Sequence, residues 1–327
     1  MKKNRLWKIL GFVILGLIVI VFGGIGYIVW FRPHIPVKEI KIDSTADRVA
    51  RGKYLANHVT VCMDCHSTRD WTKFSGPITP GTEGKGGEKF DQLEGFPGIF
   101  IAANITPYKL SGWTDGELYR AITSGVGKGN RPFFPVMPYL YYGALDTEDI
   151  YCIMTYIRTL KPISYDPPSS SPDFPMNIIL HMIPQPANPA KAPDPSDSLN
   201  YGKYLVKAGS CVECHTRADK KGKLVEGMSF AGGREFQLPW GIVRSANITP
   251  DKETGIGGYT AQTFINRFKA YDPSLHELAT VQYGEFNSIM PWSMYAGMTT
   301  SDLSSIYQYL HSLKPISNQV VRFSSLK

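Results

Sequence analysis

The sequence predicts a mostly α-helical protein, with one N-terminal transmembrane helix followed by two tandem copies of a small helical unit. Three observations carry this. The 23 residues from Ile9 to Phe31 hold no charge. Four short motifs recur in the same order in the two halves of the chain. Strand-like alternation of apolar and polar residues is sparse throughout.

The uncharged run comes first. As a helix it crosses about 30 Å of hydrocarbon. Lys2, Lys3, Arg5 and Lys8 precede it without an acid among them, and Arg32 follows. Basic flanks stay on the cytoplasmic side, so residues 1–32 read as a cytoplasmic tail and anchor, with the bulk of the chain outside the cytoplasmic membrane. Trp7 and Trp30 stand near the two ends, at the level of the interface. The length of the run and the lack of an Ala-x-Ala site favour an uncleaved anchor over a cleaved signal peptide. The net charge is +7, and the four tail cations leave only +3 for the remainder. That balance excludes the basic surface on which nucleic acid is bound.

The repeat decides the architecture. Arg51-Gly52-Lys53-Tyr54-Leu55 returns as Tyr201-Gly202-Lys203-Tyr204-Leu205, and Ala103-Asn104-Ile105-Thr106-Pro107 returns as Ala246-Asn247-Ile248-Thr249-Pro250. Met137-Pro138 returns as Met290-Pro291, and Leu160-Lys161-Pro162-Ile163 as Leu313-Lys314-Pro315-Ile316. Two units follow, 44–163 and 197–317, each of domain size. Between them, 164–196 is a proline-rich linker that cannot sustain regular structure. Its apolar centre, Met176 to Ile183, is expected to pack on a domain surface.

Within each unit a first helix is expected from Ser44 to His58 and from Ser196 to Lys207, with serine as the N-cap. Gly52 and Gly202 fall mid-helix, where glycine costs about 1 kcal/mol relative to alanine. That cost is justified where another helix crosses closely. The expected partner is the last helix, Asp146–Leu160 and Thr299–Leu313, with Asp149 and Asp302 completing approximate capping boxes and Tyr156 and Tyr309 packed over the opposing glycines. Both last helices stop at Lys-Pro. A middle helix starts at Thr114 with Glu117 closing a capping box and ends at Gly125; its counterpart spans Thr260–Ala270.

The chemistry is carried by Cys62-Met63-Asp64-Cys65-His66 and Cys211-Val212-Glu213-Cys214-His215. C-x-x-C-H is the attachment signature of c-type haem. Two thiols at this spacing add to the two vinyl groups, and the following imidazole becomes the proximal iron ligand. A zinc site built from the two cysteine pairs is the alternative, and it leaves the histidines and the repeat unexplained. Two covalently bound haem c groups are therefore expected. The fifth cysteine, Cys152, reads as a buried, inert thiol on a helix face.

The sixth ligand of an electron-transfer haem is Met or His. Met137 and Met290 are the repeated candidates, each about 70 residues after its histidine and held by a following proline. Met154, Met228, Met294 and Met298 compete. His58, His181, His276 and His311 recur at no equivalent place. Thioether ligation raises the reduction potential, and two filled axial positions leave no open iron. Asn104 and Asn247 are candidates for hydrogen bonding to haem propionates, with turn formation as the competing role. Arg131 and Arg244 are further propionate candidates, and Trp113, Trp240 and Trp292 candidates for pocket walls.

The run from Asn247 to Gly257, the two C-x-x-C-H sites and the later Met-Pro resemble the cytochrome c subunits of membrane-bound bacterial gluconate, sorbitol and alcohol dehydrogenases. The resemblance covers both repeats. It implies two class I-like cytochrome c domains that pass electrons from a dehydrogenase or quinol-oxidising complex towards a terminal oxidase or other acceptor. Many such subunits carry three haems, and this chain has sites for two. The first copy is also less regular, with Pro107-Tyr108-Lys109-Leu110-Ser111-Gly112 in place of the fuller loop. The expectation is a membrane-anchored electron-transfer protein and not an enzyme. The rivals are a dihaem peroxidase or thiosulfate-oxidising enzyme with one open haem site, and a structural anchor of a dehydrogenase complex.

Overall fold

The computed structural model describes residues 2–219 and 222–325. It is mostly helical. Helix α1 (Lys2–Phe31) is exposed from Arg5 to Gly24, and its C-terminal end meets the linker near 176–182. Within Arg5–Phe31 an 18-residue window has a mean hydropathy of 2.8 and is 0% buried. That length and composition suit a membrane span or a signal sequence.

The first repeat contains α2 (Ala46–Tyr54), α3 (Cys62–Cys65), α4 (Pro107–Leu110), α5 (Asp115–Ser124), α6 (Tyr139–Tyr142) and α7 (Thr147–Arg158). A single turn, α8 (Met176–Ile179), lies in the linker. The second repeat contains α9 (Ser198–Ala208), α10 (Cys211–Cys214), α11 (Ala261–Lys269), α12 (Trp292–Tyr295) and α13 (Thr300–His311). The middle helix α5 has the full capping box between Thr114 and Glu117 and ends on Gly125 in the left-handed region.

The crossings expected at the glycines are present. A Cβ on Gly52 would overlap the Cys152 carbonyl of α7, and one on Gly202 the Ser305 carbonyl of α13. Glycine is what lets the two backbones meet, a gain in packing that outweighs its low helix propensity. Tyr156 lies against Gly52, but Tyr309 turns to the Phe230 ring, 6.4 Å away between centroids. Cys152 is 4% exposed, and burial pushes its thiol up to about 11.

Several local expectations are corrected. The N-caps of α2 and α9 are Thr45 and Asp197, not the serines. Thr45, one residue beyond Ser44, has the extended backbone a cap needs. Ser196 is already committed to a turn, its N–H donating to Asp194 at 2.8 Å. The first helix also changes character: after Tyr54 it continues as a π-helical turn, Leu55–Val59, closed by Thr60 N–H to the Leu55 carbonyl at 2.8 Å. The first repeat has one residue more than the second between its Tyr-Leu pair and its cysteines. A π-turn absorbs one extra residue without breaking the helix. At Thr299 half of the box forms, its hydroxyl accepting the Asp302 N–H at 3.0 Å. Neither the Asp149 nor the Asp302 carboxylate bonds back to its cap, because both accept hydroxyls from the opposite repeat. Tyr54 donates to Asp302 at 2.5 Å and Tyr204 to Asp149 at 2.6 Å.

Two small antiparallel sheets were not legible beforehand. β1 (Lys89–Phe90), β2 (Gly98–Ile101) and β3 (Ser171–Pro172) form one, and β4 (Glu235–Leu238), β5 (Gly241–Arg244) and β6 (Phe323–Ser325) the other. In each, a strand beyond Lys-Pro-Ile returns to the hairpin of the repeat before it, so ordered pairing extends past 163 and 317. The linker is strapped down: Asn188 N–H donates to the Gly143 carbonyl at 2.9 Å and Ala192 N–H to Asp146 at 2.8 Å. Leu180 in its apolar centre is buried. Buried side chains of both repeats, including Leu55, Met63, Ile153, Leu205 and Leu303, join in one continuous cluster.

Candidate functional site

Each C-x-x-C-H segment is built the same way. The residue before the first cysteine, Val61 or Ser210, takes a left-handed conformation with φ of 45° or 52°. This reverses the chain sharply into the single turn α3 or α10, which presents both thiols and delivers the histidine at its end. The His66 N–H donates to the Cys62 carbonyl at 3.0 Å and the His215 N–H to the Cys211 carbonyl at 2.9 Å. All four thiols are free.

The imidazoles are held by the next repeated motif. His66 Nδ1 lies 2.7 Å from the Ala103 carbonyl, and His215 Nδ1 lies 2.8 Å from the Ala246 carbonyl. A carbonyl only accepts, so Nδ1 carries the proton and Nε2 keeps its lone pair free. Packing around each ring lowers its proton affinity, and the carbonyl partly opposes this. A neutral imidazole with one nitrogen fixed and the other free is the form that binds a metal. The carbonyl itself is kept in place by a glycine. Gly86, with φ +74°, and Gly232, with φ +73°, lie directly against Ala103 and Ala246. Their N–H groups bond back to the His66 and His215 carbonyls at 2.9 and 2.7 Å. Sequence reasoning missed this role, although Gly86-Gly87 and Gly232-Gly233 recur at matching places.

Asn104 and Asn247 hold the same loops. Asn104 Nδ2 donates to the Ile163 and Tyr165 carbonyls, both at 2.9 Å, and its Oδ1 accepts from the Thr106 N–H and hydroxyl. Asn247 Nδ2 donates to Thr254 and to the Ile316 carbonyl, and its Oδ1 accepts from Thr249 twice. Every hydrogen-bonding position on these two buried side chains is used within the protein. They tie the Asn-Ile-Thr-Pro turn to the segment after the last helix and leave no side-chain donor for a propionate. Arg244 is likewise committed, to Glu235 at 2.8 Å and to Ser324 at 2.9 Å. Arg131 lies over the Phe133 ring.

Met137 and Met290 are both half-buried and stand at equivalent turns. The Tyr139 N–H donates to the Met137 carbonyl at 2.7 Å, and the Trp292 N–H to the Met290 carbonyl at 2.8 Å. Met154, Met294 and Met298 are buried within the core cluster. His58 is directed elsewhere, its Nδ1 2.8 Å from the Met294 carbonyl. His311 Nε2 meets the Ile256 carbonyl and His181 Nδ1 the Arg32 carbonyl. Trp292 packs against Phe268 and Tyr271, and Trp240 against Trp71.

The donor set fits covalently attached haem. Paired free thiols precede an imidazole with a fixed Nδ1–H, and this occurs twice. Among the described residues no group of three or more His, Cys, Asp and Glu side chains is arranged to hold a metal ion without a porphyrin. Buried polar atoms without a protein partner also occur at the motifs: the Ser210 hydroxyl precedes Cys211, and the Tyr139 hydroxyl lies two residues after Met137.

The two C-x-x-C-H segments approach each other. Gly209 lies against the Val59 carbonyl of the other repeat. Tyr141 of the first repeat donates to Glu213, inside the second motif. The acid within each motif faces an arginine, Asp64 with Arg69 at 3.1 Å in a buried pair, and Glu213 with Arg234 at 3.7 Å in a more open one.

No protein-family model matches the chain. The chain is similar to the cytochrome c subunit of the quinone alcohol dehydrogenase of Gluconacetobacter polyoxogenes, 33% identical over 130 residues, which is 39% of this chain and 25% of that protein. It is similar to the cytochrome c subunit of the gluconate 2-dehydrogenase of Pantoea cypripedii, 37% identical over 117 residues, 36% of this chain and 23% of that one. A diheme cytochrome c-type protein of Cereibacter sphaeroides is 26% identical over 230 residues, 67% of this chain and 74% of its own length. The matches to the dehydrogenase subunits span about a quarter of those proteins. The relatives are cytochrome c subunits of dehydrogenases and a diheme cytochrome, the class the motifs resemble.

Proposed function

We propose that the chain is a membrane-anchored dihaem cytochrome c that relays electrons on the outer side of the cytoplasmic membrane. It takes them from a dehydrogenase or a quinol-oxidising complex and delivers them to a terminal acceptor. Haem c is bound covalently at Cys62 and Cys65 and at Cys211 and Cys214, in class I-like domains. His66 with Met137 and His215 with Met290 are the axial pairs. The observation that carries this is the repeated hydrogen bond from Nδ1 of each C-x-x-C-H histidine to the alanine carbonyl, 2.7 Å in one repeat and 2.8 Å in the other.

The haem supplies the one-electron couple, and the protein sets its potential and its surroundings. The Ala103 and Ala246 carbonyls raise the basicity of the imidazoles and fix their rotation. Asn104 and Asn247 keep those carbonyls in place from behind. Thioether ligands raise the potential relative to a second imidazole and close the iron to exogenous ligands. The approach of the two motifs across the repeat interface supports transfer between haems within one chain. Relatives that are subunits of alcohol and gluconate dehydrogenases support a dehydrogenase as partner.

The test is a matured, full-length preparation from membranes. Two irons per chain, pigment that stays with the polypeptide after denaturation, and low-spin ferric spectra insensitive to brief cyanide exposure are expected. A large high-spin fraction that binds cyanide or peroxide rapidly points instead to a dihaem enzyme with an open site. Co-purified subunits identify the donor.

A further inference from the structure

We propose that Ser75, which belongs to the first repeat, is a positioning residue for the sixth ligand of the second haem. The inference rests on Met290 being that ligand, as proposed above. Ser75 lies in a loop between His66 and Gly86 that is three residues longer than its counterpart in the second repeat. The loop leaves its own repeat and lies along the segment leading to Met290, which is itself seven residues longer than the matching segment before Met137.

The contact is a built one. Phe74 N–H donates to the Ala279 carbonyl at 2.8 Å, and Val281 N–H to the Thr72 carbonyl at 2.9 Å. The Phe74 ring stacks on Tyr271 with centroids 5.3 Å apart. Asn287, 2% exposed, donates from Nδ2 to the Trp71 and Lys73 carbonyls, both at 3.2 Å. Its Oδ1 accepts the Ser75 N–H at 2.8 Å. Arg69 holds the Ser75 carbonyl at 2.8 Å. Ser75 is 0% exposed with φ +70°, a conformation L-residues avoid unless their surroundings impose it.

The serine backbone is thus fixed on both sides, and its hydroxyl is a fixed point. Ser75 Oγ donates to the Met290 carbonyl at 2.6 Å and accepts from the Trp292 N–H at 2.9 Å. On the other flank the Met290 N–H donates to Ser288 Oγ at 3.2 Å. Met137 has no such clasp: among the described residues its carbonyl accepts only the Tyr139 N–H of its own turn. A thioether is a weak, neutral donor, and it stays on iron only as well as its backbone is held. One haem is therefore secured by the opposite repeat and the other by its own, so the two are not independent redox units.

The test uses the full-length dihaem protein with Ser75→Ala, Ser75→Gly and, separately, Met290→Ala. Glycine accepts a φ of this sign without strain, so Ser75→Gly removes the hydroxyl while sparing the backbone. The readouts are the absorption band that reports thioether bonding to ferric iron, its displacement by added imidazole, and a redox titration. In both Ser75 variants imidazole is expected to displace one of the two thioethers at about tenfold lower concentration, the scale of a lost outer-shell contact. One potential falls and the other holds. Wild-type displacement and unchanged potentials in both Ser75 variants, with one thioether lost in Met290→Ala, overturn the clasp alone. Both thioethers retained in Met290→Ala overturn the ligand assignment, and the clasp with it.

Discussion

Between its Gly-Lys-Tyr-Leu motif and its cysteines the first repeat carries one residue more than the second, and between its histidine and its paired glycines three more; the second carries seven more before its Met-Pro. The parts that hold the imidazoles match to within 0.1 Å in the Nδ1–carbonyl distance. The insertions instead lie where one repeat touches the other. The π-turn brings His58 onto Met294 and Gly297, and the long loop at 69–76 lies along 271–288. Beneath these unequal additions is an equal pair of contacts, Tyr54 on Asp302 and Tyr204 on Asp149. The anchoring of the imidazoles is common to the two repeats, and these three insertions serve to join them.

Breaking the common part should give the largest effects, and equal ones. Gly52→Ala and Gly202→Ala each drive a methyl group into a helix backbone that cannot yield like a side chain, so each should cost about 3 kcal/mol or more, at or beyond the upper range of overpacking. Chemical denaturation of the two variants measures it; a small loss in one and a large loss in the other would break the equivalence. Gly86→Ala and Gly232→Ala should push the alanine carbonyl off Nδ1, make the imidazole a weaker donor and so raise the matching haem potential in each repeat. A redox titration of both variants reads that out.

The tyrosine pair sharpens the comparison. Tyr54→Phe and Tyr204→Phe each leave a mostly buried carboxylate short of a hydrogen bond, and about 1.5–3 kcal/mol is expected for each. Asp149 keeps Arg51 at 3.0 Å, so Tyr204→Phe should be the milder of the two. His58 tests the asymmetric part through pH. Burial, its largest influence, holds the imidazole below its ordinary 6.5; Lys269 and Lys53 act in the same direction, and the Met294 carbonyl and Asp272 oppose them. Its contribution to stability is present above 6.5 and lost as pH falls through the lower folded value. Replacing His58 with Asn should flatten that acid limb of the thermal-unfolding profile. The smallest effect is a gain: Ser210→Gly should relieve the left-handed strain before Cys211 and stabilise by about 1 kcal/mol.

The C-x-x-C-H segments and the Asn-Ile-Thr-Pro turns were legible in the sequence, because each is a fixed set of residue types at fixed spacing that recurs. The Thr114–Glu117 box and the glycine crossings were legible for the same reason, as each rests on one or two residues whose chemistry admits few alternatives. The caps at Thr45 and Asp197 were missed by one residue because adjacent side chains satisfy the same rule. The strands at Ser171–Pro172 and Phe323–Ser325 are too short to show a period. Asp149 and Asp302 look like first-turn helix acids, and nothing local reveals that their partners come from the other repeat, 55 and 248 residues away. The saturation of Asn104 has the same origin, since Ile163 and Tyr165 lie some 60 residues on.

The chain between α1 and α2 is hydrogen-bonded to the first repeat at two points and packs on it at a third. Arg120 donates to the Ile35 carbonyl at 2.9 Å, the Ile42 N–H donates to Asp115 at 3.0 Å, and Gly116 fits beneath the Lys38 carbonyl. The tether is thus pinned at three points. If α1 is set in a bilayer, as proposed, these contacts moor the body close to the lipid, and a redox partner would have to berth alongside.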